Sequence, residues 1–243
     1  MKKDNIFNHP QDRIPPFEFN DNVVAVFEDM INRSVPFYSE IVRRQVQLAA
    51  RFYKDGTKIW DLGCSHGNFG LGFAALMAGK PFQLIGIDSS QPMLDKYSSR
   101  LQKMGGLRSI ELLCSDVMDV ELSKASVVVL NLTMQFLDPG YRDQLISKIF
   151  EALVPGGVLL ITEKIVHEDD YLDELQQAFY YRYKTENGYS RMEISQKRDA
   201  LENVMIPDSV EVHQKRFTES GFTQYDLWLK WFNFAAWICR KRG

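Results

Sequence analysis

The sequence predicts a doubly wound α/β fold built on a mostly parallel sheet, and three observations carry that expectation. Short apolar runs alternate with helical periods from Lys58 to Thr162, the pattern of successive β-α units. The run 126–132 (SVVVLNL) is almost wholly apolar, as a central parallel strand covered on both faces must be. Glycine or short polar residues recur where consecutive runs stop, at Gly63, Asp88, Asp116 and Asn131.

Taken in order, residues 1–20 are polar, interrupted by Pro10, Pro15 and Pro16, and read as an irregular arm. Apolar residues then return at three- and four-residue steps over 22–30 and 35–52, predicting two N-terminal helices. A strand over 58–62 enters the glycine-bearing turn 63–70, and a helix follows near 69–78. Strand 83–88, helix 92–103, strand 109–114, strand 126–132, helix 140–153 and strand 158–162 continue the alternation, the last strand announced by Pro155-Gly156-Gly157. Residues 165–220 read as a helical insertion, with helices near 168–184, 190–204 and 208–220. Runs 225–231 and 233–240 predict a C-terminal antiparallel hairpin, giving a Rossmann-like sheet of seven strands in one domain over 1–243.

Composition narrows the function classes. The chain is 45% hydrophobic and 25% charged, as in an ordinary globular protein, and its net charge of -3 supplies no basic face for a phosphate backbone. Direct nucleic-acid binding is therefore not expected. Cys64, Cys114 and Cys239 are too few and too widely spaced for a disulfide framework or a zinc cluster, and they suit a reducing cytosol. The first twenty residues lack the apolar stretch of a secretory signal and no run reaches bilayer length, so a cytoplasmic location with no membrane contact is expected.

Ligands of such sheets sit outside the carboxyl ends of the strands, where strand order reverses. Glycine in the turn Gly63 to Gly67 admits close backbone approach, and the helix start beyond it favours an anionic group. Asp88, ending the second strand, can accept two ribose hydroxyl protons, while Asp116 can accept from an adenine amino group beside the Val117 N–H. A nucleoside is the economical common ligand. Turn and cap chemistry alone could also place glycine at 63 and Asp88-Ser89 before a helix. Gly63-Cys64-Ser65-His66-Gly67 matches the G-x-S-x-G nucleophile elbow, yet no acid and histidine follow at later strand ends. Ser65 stands where a dinucleotide fingerprint requires its second glycine. His66, His167 and His213 lack metal-ligand spacing, so no metal is expected.

With Asp61-Leu62-Gly63-Cys64-Ser65-His66-Gly67, Asp88, Asp116 and Pro155-Gly156-Gly157, the chain resembles the class I S-adenosylmethionine-dependent methyltransferase fold. Segments 33–38 (RSVPFY), 128–137 (VVLNLTMQFL), 187–190 (NGYS), 193–198 (EISQKR) and 201–205 (LENVM) make it similar, over nearly its full length, to the carboxy-S-adenosyl-L-methionine synthase family. The resemblance implies a homodimeric transferase that uses prephenate to convert S-adenosyl-L-methionine to carboxy-S-adenosyl-L-methionine, releasing phenylpyruvate. The product would pass to a tRNA carboxymethyltransferase that modifies wobble uridine toward 5-oxyacetyluridine. Carried over by position, Tyr38, Gly63, Cys64, Ser65, Asp88, Ser89, Asp116, Val117 and Asn131 form the cofactor-binding set, and Arg198 grips the added carboxylate. A guanidinium suits that task because its planar fork pairs with a carboxylate and cannot pair with a methyl group. Without the resemblance, Arg198 reads as a surface residue of a basic helix face, solvated or paired with Glu202. Other members also carry asparagine at the position of Ser89. A conventional methyltransferase of a small molecule or tRNA would share every cofactor position, and a non-catalytic nucleoside-binding protein would keep the pocket without turnover.

Overall fold

The structure, a computed structural model, describes residues 2–106 and 109–243; Met1, the first residue of the expected arm, lies outside them. Asn20 caps the first helix by accepting from the N–H groups of Asn22 and Val23, and starts α1 (Asp21–Ser34), which α2 (Tyr38–Phe52) follows. The alternating region holds β1 (Lys58–Leu62), α3 (Asn68–Leu76), β2 (Leu84–Asp88), α4 (Gln91–Lys103), β3 (Ile110–Cys114) and β4 (Ala125–Asn131). A short 3-10 turn (Met134–Phe136) leads to α5 (Pro139–Ala152) and β5 (Leu153–Val166), and the chain ends with α6 (Asp170–Glu186), α7 (Arg191–Leu201), β6 (Asp208–Ser209), α8 (Val210–Glu219), β7 (Gln224–Trp231) and β8 (Phe234–Arg240).

The main sheet runs β3-β2-β1-β4-β5-β8-β7, parallel from β3 through β5. β8 lies antiparallel between β5 and β7, which leaves β7 on the edge. The expected seven strands, parallel order and C-terminal hairpin are thus present. Two details differ. The residues expected to begin a helix at 208 first form β6, which pairs with the end of β5 through Ile165 and Val166. β5 also starts five residues earlier than the apolar run suggests, because Leu153 pairs with Ala125 across an irregularity between Ala125 and Val127.

Order reverses between β1 and β4, so the crevice that the strand-order rule identifies opens above their carboxyl ends. The β4 residues Val127 to Leu130 are fully buried and alternate between two cores. Val127 and Val129 meet α2, α3 and α4 through Val46, Phe73 and Leu94, while Val128 and Leu130 meet α5 and α8 through Ile146 and Phe217. Each such side chain contributes about 1.5–3 kcal/mol by leaving water. These two cores fix the strand ends rigidly.

The arm before α1 is irregular in backbone, as expected, but it is packed. The Phe17 N–H donates to the Ala200 carbonyl at 2.8 Å, and the Ser90 hydroxyl donates to the Phe19 carbonyl at 2.6 Å. Gln196 donates to the Phe7 and His9 carbonyls, each at 2.9 Å. α7 is therefore the bed on which the arm lies.

Candidate active site

A cavity of about 300 Å³ opens at the switch point, lined by residues from the carboxyl ends of β1, β2, β4 and β5, the β3-β4 loop, the helices α1, α2, α6 and α7, and the arm. Tyr38, Gly63, Cys64, Ser65, Asp88, Ser89, Asp116, Val117 and Asn131 all line it.

The turn after β1 owes its shape to backbone that most side chains disfavour. Gly63 has φ +76°, and a Cβ there would overlap the Thr133 side chain, whose hydroxyl donates to the Leu62 carbonyl at 2.9 Å. Ser65 adopts φ +50° and donates its N–H to Asp88 Oδ2 at 2.8 Å, while Asp88 Oδ1 accepts from the Ser90 N–H at 2.9 Å. Burial raises the Asp88 carboxyl and these two bonds pull it back. Each carboxylate oxygen keeps a lone pair, so Asp88 can still take ribose hydroxyls.

Asp116 accepts from the Met118 N–H at 2.8 Å through Oδ1, which orients the exposed carboxylate and leaves Oδ2 for a ligand. Asn131 ends β4 with a buried Oδ1 that has no partner among the described residues. Tyr38 accepts from Asn68 Nδ2 at 3.2 Å, and burial pushes its hydroxyl up to about 12, so it acts as a neutral phenol.

The nucleophile-elbow reading does not fit. The Ser65 hydroxyl contacts Met93 Sδ at 3.3 Å, and His66 is engaged by Arg100 at 3.0 Å and Glu28 at 3.1 Å. Cys64 is buried with its thiol pushed well up, which removes thiolate character.

Arg198 stands apart. It does not line this cavity but a separate depression with Tyr181, Arg182 and Ser195 between α6 and α7, with its side chain 57% exposed. Its partners are Asp199 at 2.9 Å and Ser195 at 3.4 Å, rather than Glu202.

Several cavity residues escaped the sequence reading. Asp61 is buried at the end region of β1, its Oδ2 has no partner among the described residues, and burial plus the Asp88 charge push it up to about 8. The signal was present in the Asp61-Leu62-Gly63 motif, where the residue passed as part of the strand. Lys164, Tyr180 and Lys197 form another wall, and Phe17 and Phe19 come from the arm. Phe19 packs edge-on against Phe27 and Phe136, at 6.3 and 5.3 Å between ring centroids.

This donor set suits a nucleoside joined to a cationic amino acid. Asp88 matches the ribose, Asp116 and Val117 match adenine, and the orphaned Asp61 carboxyl matches an ammonium group. The fold is that of a methyltransferase-type domain, and residues 59–157 match the family model described as "Methyltransferase domain". Two solved structures share the fold: an O-methyltransferase family protein from Burkholderia thailandensis (TM-score 0.66, 14% identity, 93% of this chain and 61% of that one) and human N-acetylserotonin methyltransferase in complex with SAM (TM-score 0.60, 16% identity, 92% and 56%). The chain thus spans about three fifths of those longer proteins. At the sequence level it is 51% identical to the carboxy-S-adenosyl-L-methionine synthase of Desulforapulum autotrophicum, over 99% of this chain and 98% of the relative. It is 42% identical to the synthase of Actinobacillus pleuropneumoniae serotype 5b, over 99% and 100%. The chain belongs to the carboxy-S-adenosyl-L-methionine synthase family, whose members are transferases.

Proposed function

We propose that this protein converts S-adenosyl-L-methionine and prephenate to carboxy-S-adenosyl-L-methionine, phenylpyruvate and water. The observation that carries the reading is the gathering of the strand-end set and Asp61 on one cavity, in a chain matching such synthases over 99% of its length. Prephenate loses carbon dioxide and its ring hydroxyl as the ring aromatises. The departing hydroxide takes a proton from the sulfonium methyl, and the resulting ylide carbon bonds to the carbon dioxide. Such a carbanion survives only where bulk water is kept out, a task that Phe17 and Phe19, which line the cavity, would serve in this reading. Asp88 and Asp116 hold the nucleoside, Asp61 faces the ammonium group, and Tyr38 and Asn131 supply neutral polar contacts.

In this reading Arg198 grips the added carboxylate. Since it lies outside its own cavity, it serves the cavity of a second copy, which makes the working form a homodimer. The exposed stripe Tyr171, Leu172, Leu175 and Phe179 along α6 supplies an apolar face of the kind such a contact covers. The protein works as a single domain in the cytoplasm and needs no nucleic-acid contact of its own, in keeping with its net charge of -3. Its product passes to an enzyme that carries the carboxymethyl group to tRNA wobble uridine. A conventional methyltransferase differs from this reading only in lacking a grip on the carboxylate.

Native mass spectrometry tests the reaction. Incubation with S-adenosyl-L-methionine and prephenate should yield a species heavier than the cofactor by one carboxyl-for-hydrogen exchange, together with phenylpyruvate. Unaltered cofactor and untouched prephenate would return the chain to the conventional class. Arg198→Ala should abolish preference for the carboxylated cofactor while sparing affinity for the ordinary one.

A further inference from the structure

Three lysines share two tyrosine rings in the wall built by β5, α6 and α7. The Lys164 and Lys184 ammonium groups lie 5.5 and 5.4 Å from the Tyr180 ring centroid, and those of Lys184 and Lys197 lie 5.5 and 5.6 Å from that of Tyr189. Lys184 and Lys197 are buried, and Lys164 and Lys197 line the cavity with Tyr180. Among the described residues, neither Lys164 nor Lys184 has a side-chain hydrogen bond or ion pair. Lys197 donates to Ser34 Oγ at 3.2 Å and reaches one carboxylate, Asp4, at 3.8 Å. That carboxylate also accepts from the Tyr189 hydroxyl at 2.6 Å.

The wall therefore holds three ammonium groups with one carboxylate, Asp4, in ion-pair reach of them among the described residues. Aromatic faces offset part of the cost of burying an ammonium group, but a buried cation is stable only when an anion or a set of acceptors completes its surroundings. Burial, with repulsion from Lys197 and Lys164, lowers Lys184 to about 7, and burial lowers Lys197 to about 8, with Asp4 pulling it back and Arg33 pushing it further down. An anion entering the cavity would restore their charge and gain charge-assisted hydrogen bonds.

We propose that Lys164 and Lys197, backed by Lys184, form the subsite for a carboxylate of the second substrate, the one that survives the reaction and anchors the donor while its other carboxyl carbon is delivered. The inference rests on the reaction proposed above for the identity of the donor, and on the lysines alone for its anionic character. Among the described residues that line the cavity no other cation stands, and Arg198 lines a separate depression.

Calorimetry with the full chain saturated with S-adenosylhomocysteine, which has no methyl to react, measures binding of prephenate and phenylpyruvate directly. Lys164→Met and Lys197→Met should each weaken both by about tenfold, with S-adenosyl-L-methionine affinity held within about twofold. Lys197→Arg should recover part of the loss. Lys164→Met disturbs no hydrogen bond of the fold, so it remains decisive if Lys197→Met unfolds. Unchanged prephenate binding, or an equal loss of cofactor affinity that would assign the lysines to the cofactor's own carboxylate, overturns the proposal. Wild-type protein that binds neither acid also overturns it. Lysine-dependent binding without turnover would refute the reaction and leave the subsite standing.

Discussion

Asp61 faces the cavity beside Asp88, and burial together with the Asp88 charge pushes the Asp61 carboxyl up to about 8. The two ride on paired strands, with Asp61 opposite Gly86 and Asp88 two residues further on. At neutral pH the free protein therefore holds Asp61 largely protonated. A ligand bearing an ammonium group favours the carboxylate and expels that proton. Cofactor binding near pH 7 should thus release close to one proton, read from calorimetric enthalpies in buffers of different ionisation heat. Asp61→Asn should abolish the release and weaken the cofactor by about tenfold or more. Binding with no proton release would remove Asp61 from the ammonium site.

The same group makes stability depend on pH. Its folded value lies above the unfolded one, near 3.9, so its contribution is full below about pH 4 and is lost as pH rises through about 8. The slope is at most about 1.4 kcal/mol per pH unit. Asp61→Asn should lose this component, gaining on wild type in melting temperature as the pH is raised from 5 to 8.5, followed by circular dichroism. Parallel melting curves would mean that Asp61 is already ionised.

Gly63→Ala tests the turn. The added methyl meets both an unfavourable φ and the Thr133 side chain, so either the turn or Thr133 must move, and Thr133 holds its place through the Leu62 carbonyl. Cofactor binding should fall by more than a hundredfold, against a stability loss of about 1–3 kcal/mol, since strain and displacement act at the binding surface itself. A variant that binds normally would show that the turn adapts.

What could be read from the sequence follows from what each residue does alone. The buried strands declare themselves because a strand covered on both faces has little choice but Val, Leu and Ile, as in Val127 to Leu130. Strand-end Asp88, Asp116 and Asn131 stand out as polar residues at the boundary of such runs. Lys197 and Arg198 show the limit. Adjacent on one helix, they read alike as a basic surface, yet one lines the cavity and the other faces out, because only the packing of α7 under the arm separates them. Asp4 was equally illegible: an acidic residue in a proline-bearing tail carries no periodicity, and its burial depends on Tyr189 and Lys197, more than 180 residues away.

Glu163 organises the loop after β4. Its Oε1 accepts from the N–H groups of Thr133 and Met134 at 3.1 and 2.9 Å, and Oε2 accepts from that of Gln135 at 3.1 Å. Burial nevertheless pushes it up to about 8. Above about pH 8, where the ionised carboxylate accepts all three, Glu163→Gln would turn an NH2 group toward at least one of these donors, leaving a buried N–H without an acceptor, at about 1–3 kcal/mol. The melting temperature should drop, and cofactor affinity with it, because Leu132, Thr133 and Gln135 line the cavity. An unchanged melting temperature would show that the loop is held by its backbone bonds alone.

Phe19 gives the arm a kinetic role. Its ring rests on Phe27 and Phe136 over the cavity, and its carbonyl is fixed by Ser90, the residue that also donates its N–H to Asp88. Removing the half-buried ring exposes apolar surface worth about 1.5 kcal/mol, equivalent to about tenfold in an equilibrium constant. Phe19→Ala should accordingly speed cofactor release by about that factor, measured by stopped-flow displacement, with a smaller change in association because Asp61, Asp88 and Asp116 remain in place. The carbanion of the proposed reaction would give the arm a second readout. Water admitted past the missing ring would quench the ylide before carbon dioxide is captured, so turnover in heavy water should incorporate deuterium into the recovered cofactor methyl at the expense of carboxylated product. Release at the wild-type rate, with no deuterium in the methyl, would mean that the arm covers the cavity without controlling it.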